Sequence, residues 1–117
     1  MDNRFPAACR LKNKNDIQAV YARRDISRGK RLVFYRSKSP NEVILPEARF
    51  CFVVSKKCGH APKRNRIKRV LRDIIRKNRY RITSGFDYII RVIPEMLTDK
   101  VKQDDFLADF EAYYGWK

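Results

Sequence analysis

Arg64, Asn65, Lys68, Arg69 and Arg72 are spaced so that one helix would carry them all on one stripe. At about 100° per residue they cover roughly 140° of the helical wheel. Four cationic heads and an amide along a rigid line can hold phosphate oxygens and sugar hydroxyls. Arg79 prolongs the stripe. The stretch from His60 to Tyr80 holds a single acid, Asp73, which lies off the stripe. Ordinary solvated helix faces mix signs. An unmixed stripe reads as a nucleic-acid face, against the plainer reading of a solvated surface.

Other chemistries find less support. Cys9, Cys51 and Cys58 are an odd number without disulfide-framework spacing. Cys58-Gly59-His60 resembles half a metal site, but His60 is the only histidine, and a structural zinc usually takes four such ligands. Nothing beyond residue type supports a Cys–His nucleophile. Asp16, Asp73, Asp87, Asp104 and Asp105 are scattered along the chain. A two-metal nuclease needs converging carboxylates, so no catalytic or metal-binding constellation is expected in the protein itself.

The chain has 117 residues, which implies one domain spanning 1–117 with one core. Its 28 basic and 13 acidic residues give a net charge of +15, which attracts polyanions. Nucleic acid and an anionic membrane are the candidate partners. No apolar run approaches the roughly 20 residues of a spanning helix, and the N-terminus lacks a signal-peptide core. A cytoplasmic protein without a membrane role is expected.

The elements that must position the stripe follow from periodicity. Met1 to Cys9 reads as a frayed arm. Arg10 to Arg24 reads as a first helix, with Asn13 as cap, Asp16 completing a short capping box, and Ile17, Val20 and Tyr21 on one face. Tyr21 is either a core aromatic or an exposed stacking surface. Asp25 to Lys30 reads as a polar turn, Arg31 to Arg36 as a strand, Ser37 to Pro46 as a loop, and Arg49 to Lys56 as a second strand. Pro62 leads into the basic helix, whose apolar face is Ile67, Val70, Leu71, Ile74 and Ile75. After a turn at Thr83 to Gly85, Phe86 to Ile93 is apolar on both faces except Asp87 and Arg91, which predicts a central strand. Thr98 to Lys102 is a weak helix start. Phe106, Leu107, Phe110, Tyr113 and Tyr114 mark a last helix that Gly115 ends. One sheet with helices packed on it follows.

Ser55-Lys56-Lys57, Gly59 and Lys63-Arg64-Asn65-Arg66-Ile67-Lys68-Arg69, followed by Arg72, strongly resemble the protein subunit of bacterial ribonuclease P. Arg10-Leu11 with Asp16 and Tyr21, then Tyr35, then Phe86-Asp87-Tyr88-Ile89-Ile90, extend the likeness over nearly the whole chain. The resemblance implies an α/β (α+β) two-layer sandwich. One mixed sheet of about four strands packs with helices, and two parallel central strands are joined by a left-handed crossover through the basic helix. General rules favour the right-handed form.

The resemblance also implies a function. Such a subunit binds a large catalytic RNA and the 5′ leader of precursor tRNA, and assists Mg²⁺-dependent removal of that leader. The endoribonuclease centre and its Mg²⁺ belong to the RNA, and no obligate protein partner is implied. Arg64, Asn65, Arg66, Lys68, Arg69 and Arg72 match the motif that faces the RNA subunit. Ile17, Tyr21, Tyr35, Lys56 and Lys57 match a leader cleft between the first helix and the sheet. Aromatic faces there would stack bases of any sequence while lysines track the backbone. Ile17 stands where the family commonly has Phe, His60 where many members have Lys or Asn, and Glu95 where a basic residue is common. These departures bear on how strongly a leader is held. The competing reading is a structural RNA-binding protein, such as a ribosomal protein, which needs no concave single-strand site. A protein-only nuclease lacks its carboxylates, and a helix-turn-helix DNA binder lacks a partner helix before the basic one.

Overall fold

The computed structural model describes residues 10–38, 48–82, 85–97 and 100–116. The expected arm at 1–9 lies outside them, as do most of the expected loop at 37–46, Thr83 and Ser84 of the expected turn, and Thr98 of the expected helix start. The elements are α1 (Lys14–Arg23), β1 (Asp25–Arg28), β2 (Leu32–Lys38), β3 (Arg49–Val53), α2 (Ala61–Lys77), β4 (Phe86–Val92) and α3 (Gln103–Tyr114). Short 3₁₀ turns cover Lys56–Cys58, Arg79–Arg81 and Pro94–Met96.

The four strands form one mixed sheet in the order β1-β2-β4-β3. Strand β2 is antiparallel to β1 and β4, whereas β3 is parallel to β4, to which it is connected through α2. The mixed four-stranded sheet with helices packed on it is the expected class. Strand β4 is central, as its two apolar faces predict. Its parallel partner is not central. Strand β3 is the outer strand of the sheet, extended only by a bridge between Arg10 and Phe50 among the described residues.

Three other expectations shift. Arg10 and Leu11 are extended, with Leu11 N–H donating to Phe50 O at 2.8 Å, so α1 begins four residues later than its apolar spacing suggested. Asp25 to Arg28 is a strand, not a turn, and Ser37 and Lys38 continue β2. Strand β3 stops at Val53, because the chain turns at Lys56–Cys58 towards α2.

Alternation along β4 divides the core. Tyr88 and Ile90 face α2 and α3, packing with Ile67, Leu71, Ile74, Phe106 and Phe110. Ile89 faces the other way, with Leu11 and Val20. The apolar face of α2 is buried as its period requires, with Val70 half-buried. The helix starts correctly because Gly59 takes φ +126°, where a Cβ would also meet the Lys63 side chain at 2.8 Å.

Helix α3 is tied to the β1–β2 hairpin by one buried carboxylate. Asp109 accepts from the N–H groups of Lys30, Arg31 and Leu32 at 3.0, 2.7 and 2.8 Å. Gly29 makes room, since a Cβ there would lie 2.7 Å from Asp109 Cγ. Asp109→Ala strands three turn donors and should cost roughly 2–4 kcal/mol, read as a lower urea midpoint. Gly29→Ala should shift the midpoint in the same direction. An unchanged midpoint in Asp109→Ala would show that α3 is held by its apolar face alone.

Candidate nucleic-acid interface

Helix α2 presents the cationic stripe beside its packed face. Asn65 and Arg69 are exposed, while Arg64, Lys68 and Arg72 are half-buried, their stems lying along the protein. Arg66 is also exposed but points elsewhere: its Nε donates to Val101 O at 3.3 Å. At about 100° per residue it sits roughly opposite Lys68 on the wheel. The structure thus separates Arg66 from the other five residues of the basic motif. Asp73 lies beside Arg76 at 3.7 Å, off the stripe.

At the outer edge of the sheet the stripe meets the segment that leads into α1. Arg10, Lys12, Cys51, Phe52, Lys68 and Arg72 line a hollow of about 190 Å³. Burial first, and the charge of Arg10 second, hold the Arg72 guanidinium below its usual arginine value. Burial pushes the Cys51 thiol up, and Lys68 partly offsets this. Like charges crowded here would be relieved by an anion.

A second surface lies on the α1 face of the sheet. Tyr21 is 39% exposed, and its ring stands edge-on to Tyr35, with centroids 5.0 Å apart and planes at 69°. It is therefore an edge aromatic with accessible surface, fixed by one neighbour. Burial, and next Tyr35, raise its hydroxyl above the usual tyrosine value. Ile17, Tyr35, Cys51 and Val53 are partly buried around Leu11, Val20 and Ile89.

One register row further along, Arg28, Val33, Arg91 and Val53 are consecutive cross-strand neighbours. Val33 is buried and both arginines are exposed. Arg28, Arg91, Val53 and Lys57 line an open hollow of about 410 Å³ that Glu95 also borders. Lys56 is exposed on the same 3₁₀ turn as Lys57. The sequence reading missed Arg28, placing it in a turn, and noted Arg91 only as a polar break in a strand. Pairing of Arg28 and Arg91 across Val33 exists only in the register.

The supposedly scattered acids are not all apart. Arg49 donates Nε and Nη2 to Asp87 at 2.8 and 2.6 Å, and Asp16 lies 3.2 Å from the same Nη2. Asn13 caps α1 through its side chain, accepting from Asn15 and Asp16 N–H, while the Asp16 carboxylate turns to Arg49. Asp105 accepts from Lys102 N–H at the start of α3. Among the described residues no three His, Cys, Asp or Glu side chains come together as a metal site. Cys58 is buried, while His60 is exposed at the start of α2. No helix among the described residues is long and apolar enough to cross a membrane.

A family profile described as Ribonuclease P matches residues 5–114. A ribonuclease P protein component from Bacillus cereus is 33% identical over 97 residues, covering 80% of this chain and 82% of the relative. One from Finegoldia magna is 38% identical over 92 residues, covering 77% and 74%. The Staphylococcus aureus RNase P protein superposes with a TM-score of 0.76 over 93% of this chain and 98% of that one, and at 22% identity this likeness concerns the fold alone. The Thermotoga maritima RNase P protein, solved with 1-(4-fluorophenyl)-2-thiourea, gives a TM-score of 0.66 at 25% identity, covering 91% of each chain.

Arg49→Met would leave the Asp87 carboxylate buried without its guanidinium. A loss of roughly 3–5 kcal/mol is expected from breaking a buried pair at one end, measured by urea denaturation. Adding Asp87→Leu should recover most of it, because no buried charge then remains. A double variant as unstable as the single one would place the cost in lost packing instead.

Proposed function

This chain belongs to the ribonuclease P protein family, and we propose that it binds the catalytic RNA along α2 and the 5′ leader of precursor tRNA along the α1 cleft. The observation that carries this reading is α2 itself. Its buried side is entirely apolar, and Arg64, Asn65, Lys68, Arg69 and Arg72 form a stripe without an acid. Such a stripe grips phosphates and positions a backbone without reading its bases. The cleft supports a different contact. Tyr21 and Tyr35 supply rings, and Lys57, Arg28 and Arg91 supply charge, which suits a single strand of any sequence. Lys56 and Ile17 border it, and Ile17 offers apolar contact without a stacking face. Arg66, bound to Val101 O, contributes from the other side of α2.

The enzyme is the assembled ribonucleoprotein that matures tRNA 5′ ends, and the RNA is its catalytic subunit. Mg²⁺ held by that RNA would supply the hydrolytic chemistry. The protein's residues hold the two RNAs in register and screen their mutual repulsion, in the cytoplasm and without a further obligate protein.

Reconstitution tests this. The chain, a bacterial ribonuclease P RNA and a 5′-labelled precursor tRNA are mixed at low Mg²⁺, where the RNA alone is slow. Cleavage at the mature 5′ end should be restored, and the RNA-free protein should not cleave. Tyr21→Ala should weaken precursor tRNA binding by about 1–3 kcal/mol and leave mature tRNA unchanged. Arg69→Ala should weaken binding to the catalytic RNA with the fold intact. Equal losses for precursor and mature tRNA in Tyr21→Ala, or binding of the RNA without rescue of cleavage, would favour a structural RNA-binding role.

A further inference from the structure

We propose that the turn closing α2 is a second docking point for the catalytic RNA, where an unpaired base stacks on Tyr80. The proposal rests on the reading of α2 as the face that meets that RNA, and extends it to a contact of different chemistry at the far end of the helix.

Tyr80 is 80% exposed, the most exposed of the large apolar side chains among the described residues. It stands on a fixed support. Asn78 Nδ2 donates to Ile74 O at 2.7 Å, Arg81 N–H to Asn78 O at 2.9 Å, and Trp116 Nε1 to Arg81 O at 3.4 Å. The backbone beneath the ring is therefore held by α2 on one side and by the C-terminal segment on the other. An aromatic presented this way keeps one face open to a partner, the other being met by the Arg81 guanidinium, and loses little freedom on binding.

The surroundings select the partner. Arg76, Lys77, Arg79 and Arg81 flank the ring in sequence. The Arg81 guanidinium lies 5.6 Å from the Tyr80 ring and 6.0 Å from the Trp116 ring. Arg81 also borders a hollow of about 340 Å³ with Lys77, Asn78, Gln103, Glu111 and Trp116. A protein partner docking on an apolar spot would have to cover these cations, whereas a nucleotide matches both parts: its base meets the ring and its phosphate meets the arginines.

Geometry gives the contact a purpose. From Arg64 to Lys77, the last residue of α2, the chain advances about 20 Å at 1.5 Å per residue, and Tyr80 stands on the turn that follows. A stripe of phosphate contacts holds a backbone without reading its sequence, and such sequence-independent attraction lets an RNA shift from one set of phosphates to the next. A base stacked at the far end removes that freedom and sets the direction in which the RNA lies on α2.

The test is equilibrium binding of a bacterial ribonuclease P RNA to the full chain and its Tyr80→Ala, Tyr80→Leu and Tyr80→Trp variants, each checked for an unchanged circular dichroism spectrum. Tyr80→Ala should weaken binding by about five- to 150-fold, as the loss of one stacked base does. Tyr80→Trp should bind as the wild type does, and Tyr80→Leu should resemble Tyr80→Ala. The slope of log affinity against log salt should be unchanged in the Tyr80 variants. Arg81→Gln should lower it by about 0.7. Wild-type affinity in Tyr80→Ala, or rescue by Leu equal to that by Trp, overturns the stacking site. If that occurs while Arg69→Ala is still weakened, only this inference falls. If the wild type does not bind the RNA at all, the reading of α2 falls with it.

Discussion

The Arg49 guanidinium, held between Asp87 and Asp16, is the contact on which both surfaces depend. Arg49 and Asp87 are register partners on parallel strands, so their bidentate pair fixes β3 against β4. The same Nη2 reaches Asp16 in the first turn of α1. One side chain thus sets where the outer strand lies and where α1 crosses the sheet. Strand β3 leads into α2, and α1 carries Ile17 and Tyr21. Desolvating three charges consumes most of their mutual attraction, so the triad contributes geometry more than net stability. Shifting β3 by one residue would turn Phe50 and Phe52 away from the α2–α3 core and part Asp87 from the Arg49 guanidinium.

The chain solves a problem set by its own charge. A net charge of +15 opposes compaction. Five of the 13 acids do structural service. Asp109 closes the hairpin, Asp16 and Asp87 hold Arg49, Asp105 caps α3, and Asp25 pairs with Arg36 across β1 and β2. Basic residues outnumber acids 28 to 13 and the α2 stripe holds no acid, so the cations of α2 and of the Arg28–Arg91 row face outward with little competition. The arrangement keeps a strongly basic fold stable while leaving its positive field for a polyanion.

What could be read from the sequence was whatever repeats locally. The apolar period of α2 and its stripe are contained within one helix, and β4 declares itself central by being apolar on both faces. Strand β1 was missed because Asp25-Ile26-Ser27-Arg28 is exposed throughout. With neither face buried, an edge strand has no alternation to display. The Arg49 triad joins residues 33 and 38 positions apart, and no local pattern records such a distance. The outer position of β3 follows from pairing order, which composition does not encode. Tyr21 was ambiguous for a related reason: its apolar spacing is that of a core residue, and only the crossing of α1 decides how much of the ring stays uncovered.

The two proposed RNA surfaces are continuous. Cys51 lines a hollow with Lys68 and Arg72 and also packs in the cluster that holds Ile17 and Tyr35, so the cleft wall and the α2 stripe share a boundary at β3. Arg10 and Arg72 crowd together at that boundary, where burial and like charge both disfavour the guanidinium. Two RNAs brought to this seam would each be drawn by the same cations, and would repel one another without them. Because α2 directly joins β3 to β4, a strand in the proposed cleft would keep a set direction relative to an RNA on α2. If the proposed faces hold the two RNAs, a protein that contributes no reacting group would still bear on which phosphate of a precursor reaches the catalytic centre, through the angle between those faces.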